Sequence, residues 1–322
     1  MNKNIKIIII GFGSIGKRHY SNLSKLGYKN VYVYDIDKKR IDKGVKSIDE
    51  LSQKNLSQFK IAFICNPTSL HIKTALKCAE SGCHLFIEKP LSNSKKDIEK
   101  LINLCKSKKL ITMTACNLRF EPCLRKIKNL MDSNYLGKIY AIYLEYGRYL
   151  PYQRQGRDYR KVYASSKKLG GGIVLDDIHD FDLLFWFNNF EKIDRVNLIF
   201  DKLGKLEMDV EDIANATFCF ENNVIGNVRC DYLQQYKHKN CKIIGEKGNL
   251  NWNFREDVVY FEYFNKTKGE QAKKIFQPTF NDSDGPYIDE IKYYLHCVKE
   301  NKNTFNDLEK SLMVLKPVLK NI

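Results

Sequence analysis

The sequence has no apolar run of the roughly 20 residues that a membrane-spanning helix needs, so no membrane insertion is expected. The apolar segment at residues 5–10 is too short for a signal-peptide core, and no small-residue cleavage pattern follows it. A cytoplasmic location is therefore the expectation. Ten cysteines are present, but no two are spaced C-x-x-C. That absence argues against a zinc ribbon and against thioredoxin-like redox chemistry. Cys65, Cys78, Cys83, Cys105 and Cys116 fall inside apolar patterns and read as reduced thiols that pack as small hydrophobes. Acidic residues are also short: 38 Asp and Glu against 54 Lys and Arg leave a formal net charge of +16. Such an excess can mark a nucleic-acid surface. Here it is mostly lysine, scattered through the whole chain, so neither nucleic acid nor a membrane is an expected partner. A small anionic substrate suits it better.

What is present starts with a β-branched run at residues 5–10, the signature of a parallel strand covered on both faces. "GFGSIG" follows, placing Gly11, Gly13 and Gly16 in a G-x-G-x-x-G pattern with Phe12, Ser14 and Ile15 between them. A helix reads from 17 to 26, and the next strand, 31–34, ends at Asp35, 19 residues past Gly16. Glycines of this kind permit a tight turn and a close approach of the backbone to a pyrophosphate, whose charge the helix N-terminus attracts. A carboxylate at the position of Asp35 meets the adenosine ribose and repels a 2′-phosphate, which points to NAD. Lys38, Lys39 and Arg40 follow at once and leave NADP open. Strand–helix alternation continues through residues 60–65, 84–88 and 111–115, the pattern of a doubly wound parallel sheet. Ligands of such sheets lie beyond the carboxyl ends of the strands. Asn66, Pro67, His71, Glu88, Lys89 and Asn117 are the expected cofactor-side residues there, with Arg119 beside them on the substrate side.

"GFGSIGKRH", "NPTSLH", "EKPLS", "NLRF" and "GGGIVLDDIHDFD" occur in that order over residues 5–184. In this the chain resembles the Gfo/Idh/MocA family of oxidoreductases. The resemblance implies an α/β Rossmann domain with a doubly wound parallel sheet. An α+β domain with a large, mostly antiparallel open sheet follows it. The expected division is 1–120 for the dinucleotide domain and 121–300 for the substrate and oligomerisation domain. Residues 301–322 supply a C-terminal helix that packs back on the N-terminal domain. Strand-like runs between 138 and 264, with turns at "ENN" and "GEKG", agree with the second sheet. The resemblance also implies a homodimer or homotetramer formed through that sheet, and a cis bond between Lys89 and Pro90.

By the same resemblance Lys89 and His179 face the nicotinamide across the substrate. Oxidising a secondary alcohol requires removal of its hydroxyl proton, and an imidazole with an ordinary pKa near ~6.5 suits that exchange. Asp176, three residues before His179, is the expected assistant or substrate ligand, and Asp182 is the alternative. Leu175 stands where many family members carry an acid. Asp176, His179 and Asp180 have helical ligand spacing, but the resemblance speaks against a metal and none is expected. Residues 149–168 join a strand to the single helix expected over residues 170–187 and hold Tyr149, Arg154, Arg157, Tyr159, Arg160 and Tyr163, rings and forked donors suited to a sugar with an anionic group. The leading expectation is an NAD(P)-dependent dehydrogenase or reductase acting on a sugar hydroxyl or ketone, with an acidic or nucleotide-linked sugar of surface-glycan synthesis as the narrower form. An NAD-retaining glycosidase or dehydratase working by transient oxidation is one alternative. A non-catalytic NAD-binding sensor is the other.

Overall fold

The computed structural model describes residues 3–153, 156, 158–279 and 282–319. The chain begins β1 (Ile7–Ile10), α1 (Ser14–Lys25), β2 (Val31–Tyr34), α2 (Gln53–Leu56), β3 (Ile61–Ile64), α3 (His71–Glu80), β4 (His84–Ile87), α4 (Ile98–Ser107) and β5 (Thr112–Thr114). It continues α5 (Pro122–Asp132), β6 (Ile139–Tyr149), α6 (Ile173–Asp176) and α7 (Ile178–Phe187). Seven strands follow: β7 (Ile193–Asp201), β8 (Ile213–Phe220), β9 (Ile225–Asp231), β10 (Leu233–Gly245), β11 (Gly248–Asn253), β12 (Val258–Asn265) and β13 (Gly269–Phe276). It closes with α8 (Gly285–Glu300) and α9 (Leu308–Val318). No helix among the described residues is long and apolar enough to cross a membrane.

Two compact units result, residues 3–117 with 284–319, and residues 118–283. The first holds a parallel sheet ordered β2-β1-β3-β4-β5. Its central strands β1, β3 and β4 are buried at every position, as their unbroken apolar sequences require when helices cover both faces. The boundary expected at residue 300 lies instead at 283–284, so α8 belongs to this unit. The reason is apolar: the Tyr294 ring packs against Phe63 and Phe86 of β3 and β4, at 6.1 and 5.3 Å. The Glu290 carboxylate of α8 also accepts the Cys116 N–H at 2.5 Å. Ahead of α9, Thr304 and Asn306 donate side-chain hydrogen bonds to the carbonyls of Thr112 and Thr114, satisfying the outer edge of β5.

The second unit holds a sheet ordered β13-β12-β11-β10-β6-β9-β8-β7. Its neighbours are antiparallel except for the parallel pair β6–β9. Burial alternates along β8 with the period of two expected of a half-covered sheet. The covering element is α7, whose Phe181 and Phe185 rings stand edge-on to Phe218 at 6.3 and 5.7 Å. Each fully buried ring of this kind contributes about 1.5–3 kcal/mol. Gly226 allows the close approach: a Cβ there would lie 2.4 Å from a Leu184 methyl.

Candidate active site

The glycine loop is built by exclusion of side chains. Gly11 adopts φ +96°, and a Cβ there would lie 2.4 Å from the Asn66 nitrogen. A Cβ on Gly16 would sit 2.0 Å from the Gly11 carbonyl oxygen. Gly13 is the contrast: nothing lies within 4 Å of where its Cβ would be, so the loop opens onto free space there. Gly13 is also the N-cap of α1, and no side chain caps that helix. Uncapped N–H groups and the positive end of the dipole therefore face an open cradle, the arrangement that takes a pyrophosphate. Ser14 and Ile15 open the helix, while the Phe12 ring is buried edge-on to Tyr20 at 5.6 Å, leaving only its backbone for a ligand.

Asp35 is 4 % exposed. Its carboxylate accepts the Phe12 N–H at 2.7 Å and the Asp37 N–H at 2.8 Å, tying the glycine loop to the end of β2. Lys38 is turned to the Ile48 carbonyl and Asp49, Arg40 to Asp37, and Lys17 to Asp42. Two of the three cations that would welcome a 2′-phosphate, Lys38 and Arg40, are thus already engaged, which suits NAD.

The remaining rim residues follow β3, β4 and β5. Asn66 donates to the Thr74 hydroxyl at 2.8 Å, and Pro67 is exposed beside it. His71 is buried, with Nδ1 2.9 Å from the Pro90 carbonyl and Nε2 2.8 Å from the Asn66 carbonyl. Burial lowers its pKa against the raising influence of those two carbonyls and of Glu88. Glu88 is buried and meets His19 Nε2 at 2.6 Å. Lys89 is half-buried, and its bond to Pro90 is cis. Asn117, also half-buried, begins the turn after β5.

In the second unit, one continuous helix through the glycine-led segment is not what forms. Gly172 takes φ +102°, α6 lasts four residues, and Asp177 (φ −104°, ψ 33°) breaks the chain before α7. Asp176 and His179 therefore do not share a face of one helix. The cause is long-range pairing. Asp176 accepts hydrogen bonds from Arg148, from the Tyr163 hydroxyl and, at 2.9 Å, from the Tyr232 hydroxyl. Asp180 pairs with Lys239 at 2.5 Å, and Asp177 lies 3.7 Å from the same ammonium. Burial works to lower the pKa of Lys239, but Asp177 and Asp180 outweigh it and hold the group charged. Arg148 follows the same logic, with burial opposed above all by Asp176. Burial, then Asp176, pushes the Tyr232 phenol up. From residue 171 to 185 every residue is buried except His179, which is half-open. The segment's other polar groups serve the scaffold and the imidazole is the one presented.

Two expected roles change. Arg119 is not open to a substrate: it is 1 % exposed and holds Asp182 through two hydrogen bonds, at 2.7 and 2.6 Å, beside the Trp186 and Phe190 rings. Asp182 is consumed by that pair and is not an assistant to His179. In the loop, the Tyr149 ring packs on Tyr152, the Tyr159 hydroxyl accepts the Glu207 N–H, and exposed Arg160 pairs with Asp158 and Glu207. Arg154 and Arg157 lie outside the described residues. Arg148, Tyr232 and Lys239 were not among the expected residues; the available signal was a charge within a strand for Arg148 on β6 and Lys239 on β10, and for Tyr232 a phenol at the bend between β9 and β10.

A family model described as "Oxidoreductase family, NAD-binding Rossmann fold" matches residues 5–116, and the "GFO/IDH/MocA C-terminal domain" matches residues 124–251. The chain is 25% identical over 316 residues to myo-inositol 2-dehydrogenase of Thermotoga maritima, covering 92% of this chain and 89% of that one. It is 26% identical over 318 residues to the NAD(+)-dependent scyllo-inositol 2-dehydrogenase of Bacillus subtilis, covering 94% and 88%. The fold is shared with levoglucosan dehydrogenase solved with NADH and levoglucosan, at a TM-score of 0.84 and 17% identity over 98% of this chain and 96% of that one. With both halves matched, the chain belongs to the Gfo/Idh/MocA family of NAD-binding oxidoreductases.

Proposed function

We propose that the protein is an NAD-dependent dehydrogenase or reductase of a secondary hydroxyl or ketone on a sugar or polyol. The observation that carries this is the open cradle at Gly13 over the uncapped start of α1. The relatives named for inositols and levoglucosan support the substrate class. When bound, the nicotinamide accepts or returns the hydride. Oxidation breaks a carbon–hydrogen bond, turns the alcohol into a ketone and releases the hydroxyl proton. Two groups are assigned to that step. Lys89, on the first unit, stabilises developing negative charge on the oxygen. His179, the half-open group of its segment, takes the proton and returns it in the reverse direction. Asp176 is assigned to holding the loop through Tyr163.

Arg160, already paired, favours a neutral substrate. The acidic or nucleotide-linked sugar remains the second reading, carried by Arg154 and Arg157. Exposed Tyr140, Tyr143, Val196, Ile199 and Ile225 on the second sheet support assembly as a homodimer or homotetramer through it. Ten cysteines joined by no disulfide support a reducing, cytoplasmic setting.

The test is NADH absorbance against a panel of inositols, anhydrosugars, hexoses, uronic acids and nucleotide sugars. Net NADH formation is expected; turnover without it would favour transient oxidation. Lys89→Met and His179→Ala should each lower kcat about 10²–10⁴-fold while NADH still binds. A His179→Ala enzyme with near-normal kcat would remove the histidine from the mechanism.

A further inference from the structure

We propose that His71 and His19 are positioning residues that clamp the Glu88–Lys89–Pro90 turn from both ends and so aim the Lys89 amine. The proposal rests on the role given to Lys89 above.

The sheet stops supporting this turn just where the lysine begins. The last ladder bond is the Glu88 N–H donating to the Ile64 carbonyl at 2.9 Å. Pro90 has no N–H to give. The Lys89 N–H turns back to the Glu88 carboxylate at 3.3 Å. Two side-chain anchors take over. Glu88 Oε1 stands 2.6 Å from His19 Nε2, on α1. The Pro90 carbonyl stands 2.9 Å from His71 Nδ1, on α3.

Neither ring has room to move. His19 is 0 % exposed and lies against the Phe86 and Phe63 rings at 5.2 and 5.5 Å. His71 is 1 % exposed, and its other nitrogen faces the Asn66 carbonyl at 2.8 Å, so one ring spans the chain ends that leave β3 and β4. Burying an imidazole that served only as filler would carry a desolvation cost an apolar residue avoids. Here one nitrogen of each ring, His19 Nε2 and His71 Nδ1, is spent on a residue next to the lysine, while His71 Nε2 goes to Asn66 and His19 Nδ1 has no partner among the described residues. Fixing the residues on both sides restricts the lysine backbone, and the side chain then searches from one origin. A displacement near 1 Å at a reacting group costs up to about a hundredfold in rate.

The experiment uses the full chain. His71→Leu and His19→Leu should each lower kcat about ten- to a hundredfold, with the NADH Kd and the substrate KM within about twofold of the original. His71→Asn, whose amide nitrogen stands near the place of Nδ1, should regain most of the loss. In a Lys89→Met background His71→Leu should cost nothing further, because the clamp acts only through the lysine. Independently of activity, amide hydrogen exchange over residues 88–92 should quicken about tenfold in both leucine variants while peptides elsewhere in the unit stay unchanged. Unchanged exchange at 88–92, or losses that simply add to that of Lys89→Met, would overturn the clamp. A Lys89→Met enzyme with normal kcat would overturn the lysine's role instead, and the exchange result would still decide the clamp. Should a leucine variant fail to fold, His71→Ser and His19→Asn, polar but too short to reach, carry the same exchange measurement.

Discussion

Replacing Arg119 by methionine would leave the Asp182 carboxylate buried without its partner. The side chains of Arg119 and Asp182 are 0% and 5% exposed, so water cannot take over the lost contacts. Removing one member of such a pair costs about 3–5 kcal/mol. The guanidinium also lies 5.9 Å from the Trp186 ring centre and 5.0 Å from that of Phe190, adding about 0.5–2 kcal/mol. With a urea slope of about 2 kcal/mol/M, the midpoint should fall by about 2 M. Both tryptophans of the chain, Trp186 and Trp252, belong to residues 118–283, so tryptophan emission follows that unit alone. Asp182→Asn should be costly as well. The double variant Arg119→Met with Asp182→Leu should recover much of the loss, because no buried charge remains. A midpoint shift below about 0.5 M for Arg119→Met, joined to a large rise in substrate KM, would refute the reasoning and return Arg119 to the substrate.

Burial pushes Glu121 up to about 7 from an ordinary value of 4.5, against the Leu124 and Cys123 N–H groups and with help from Asp257. Between those values the folded state binds the extra proton, so the second unit should lose stability as pH rises through that window, by at most ~3 kcal/mol. Urea midpoints at pH 5, 6 and 7 should show this slope, and Glu121→Gln should flatten it. Asp35→Ala should weaken NADH binding, because the Phe12 N–H loses its acceptor, and should narrow the gap to NADPH; fluorescence titration reads both, and an unmodified protein that prefers NADPH would contradict the assignment. Tyr163→Phe removes the loop's hydrogen bond to Asp176, a charge-assisted contact of about 1.5–3 kcal/mol, so limited proteolysis within residues 149–168 should quicken while the global urea midpoint barely moves.

The sequence by itself determined the features whose causes are local. A buried β-branched strand, three glycines and a helix start occupy ten consecutive positions, Ile7–Gly16, and each needs only its neighbours to be recognised. The rim residues Asn66, Glu88, Lys89 and Asn117 were legible because each follows a strand of a parallel sheet. The half-open histidine was named differently, through the family resemblance that its short contiguous motif carries. Tertiary structure alone decided what the charged groups do. Arg119 and Asp182 are 63 residues apart, Lys239 and Asp180 are 59 apart, and Tyr232 and Asp176 are 56 apart. Nothing in a local pattern couples such positions. The closing of the second sheet brings β6, the start of β10 and the α6–α7 break together, and an ion removed from water must then find a partner within reach. That requirement breaks the expected helix at Asp177, turns Arg119 inward and binds Asp176 to the loop, and His179 remains the one half-exposed residue between 171 and 185.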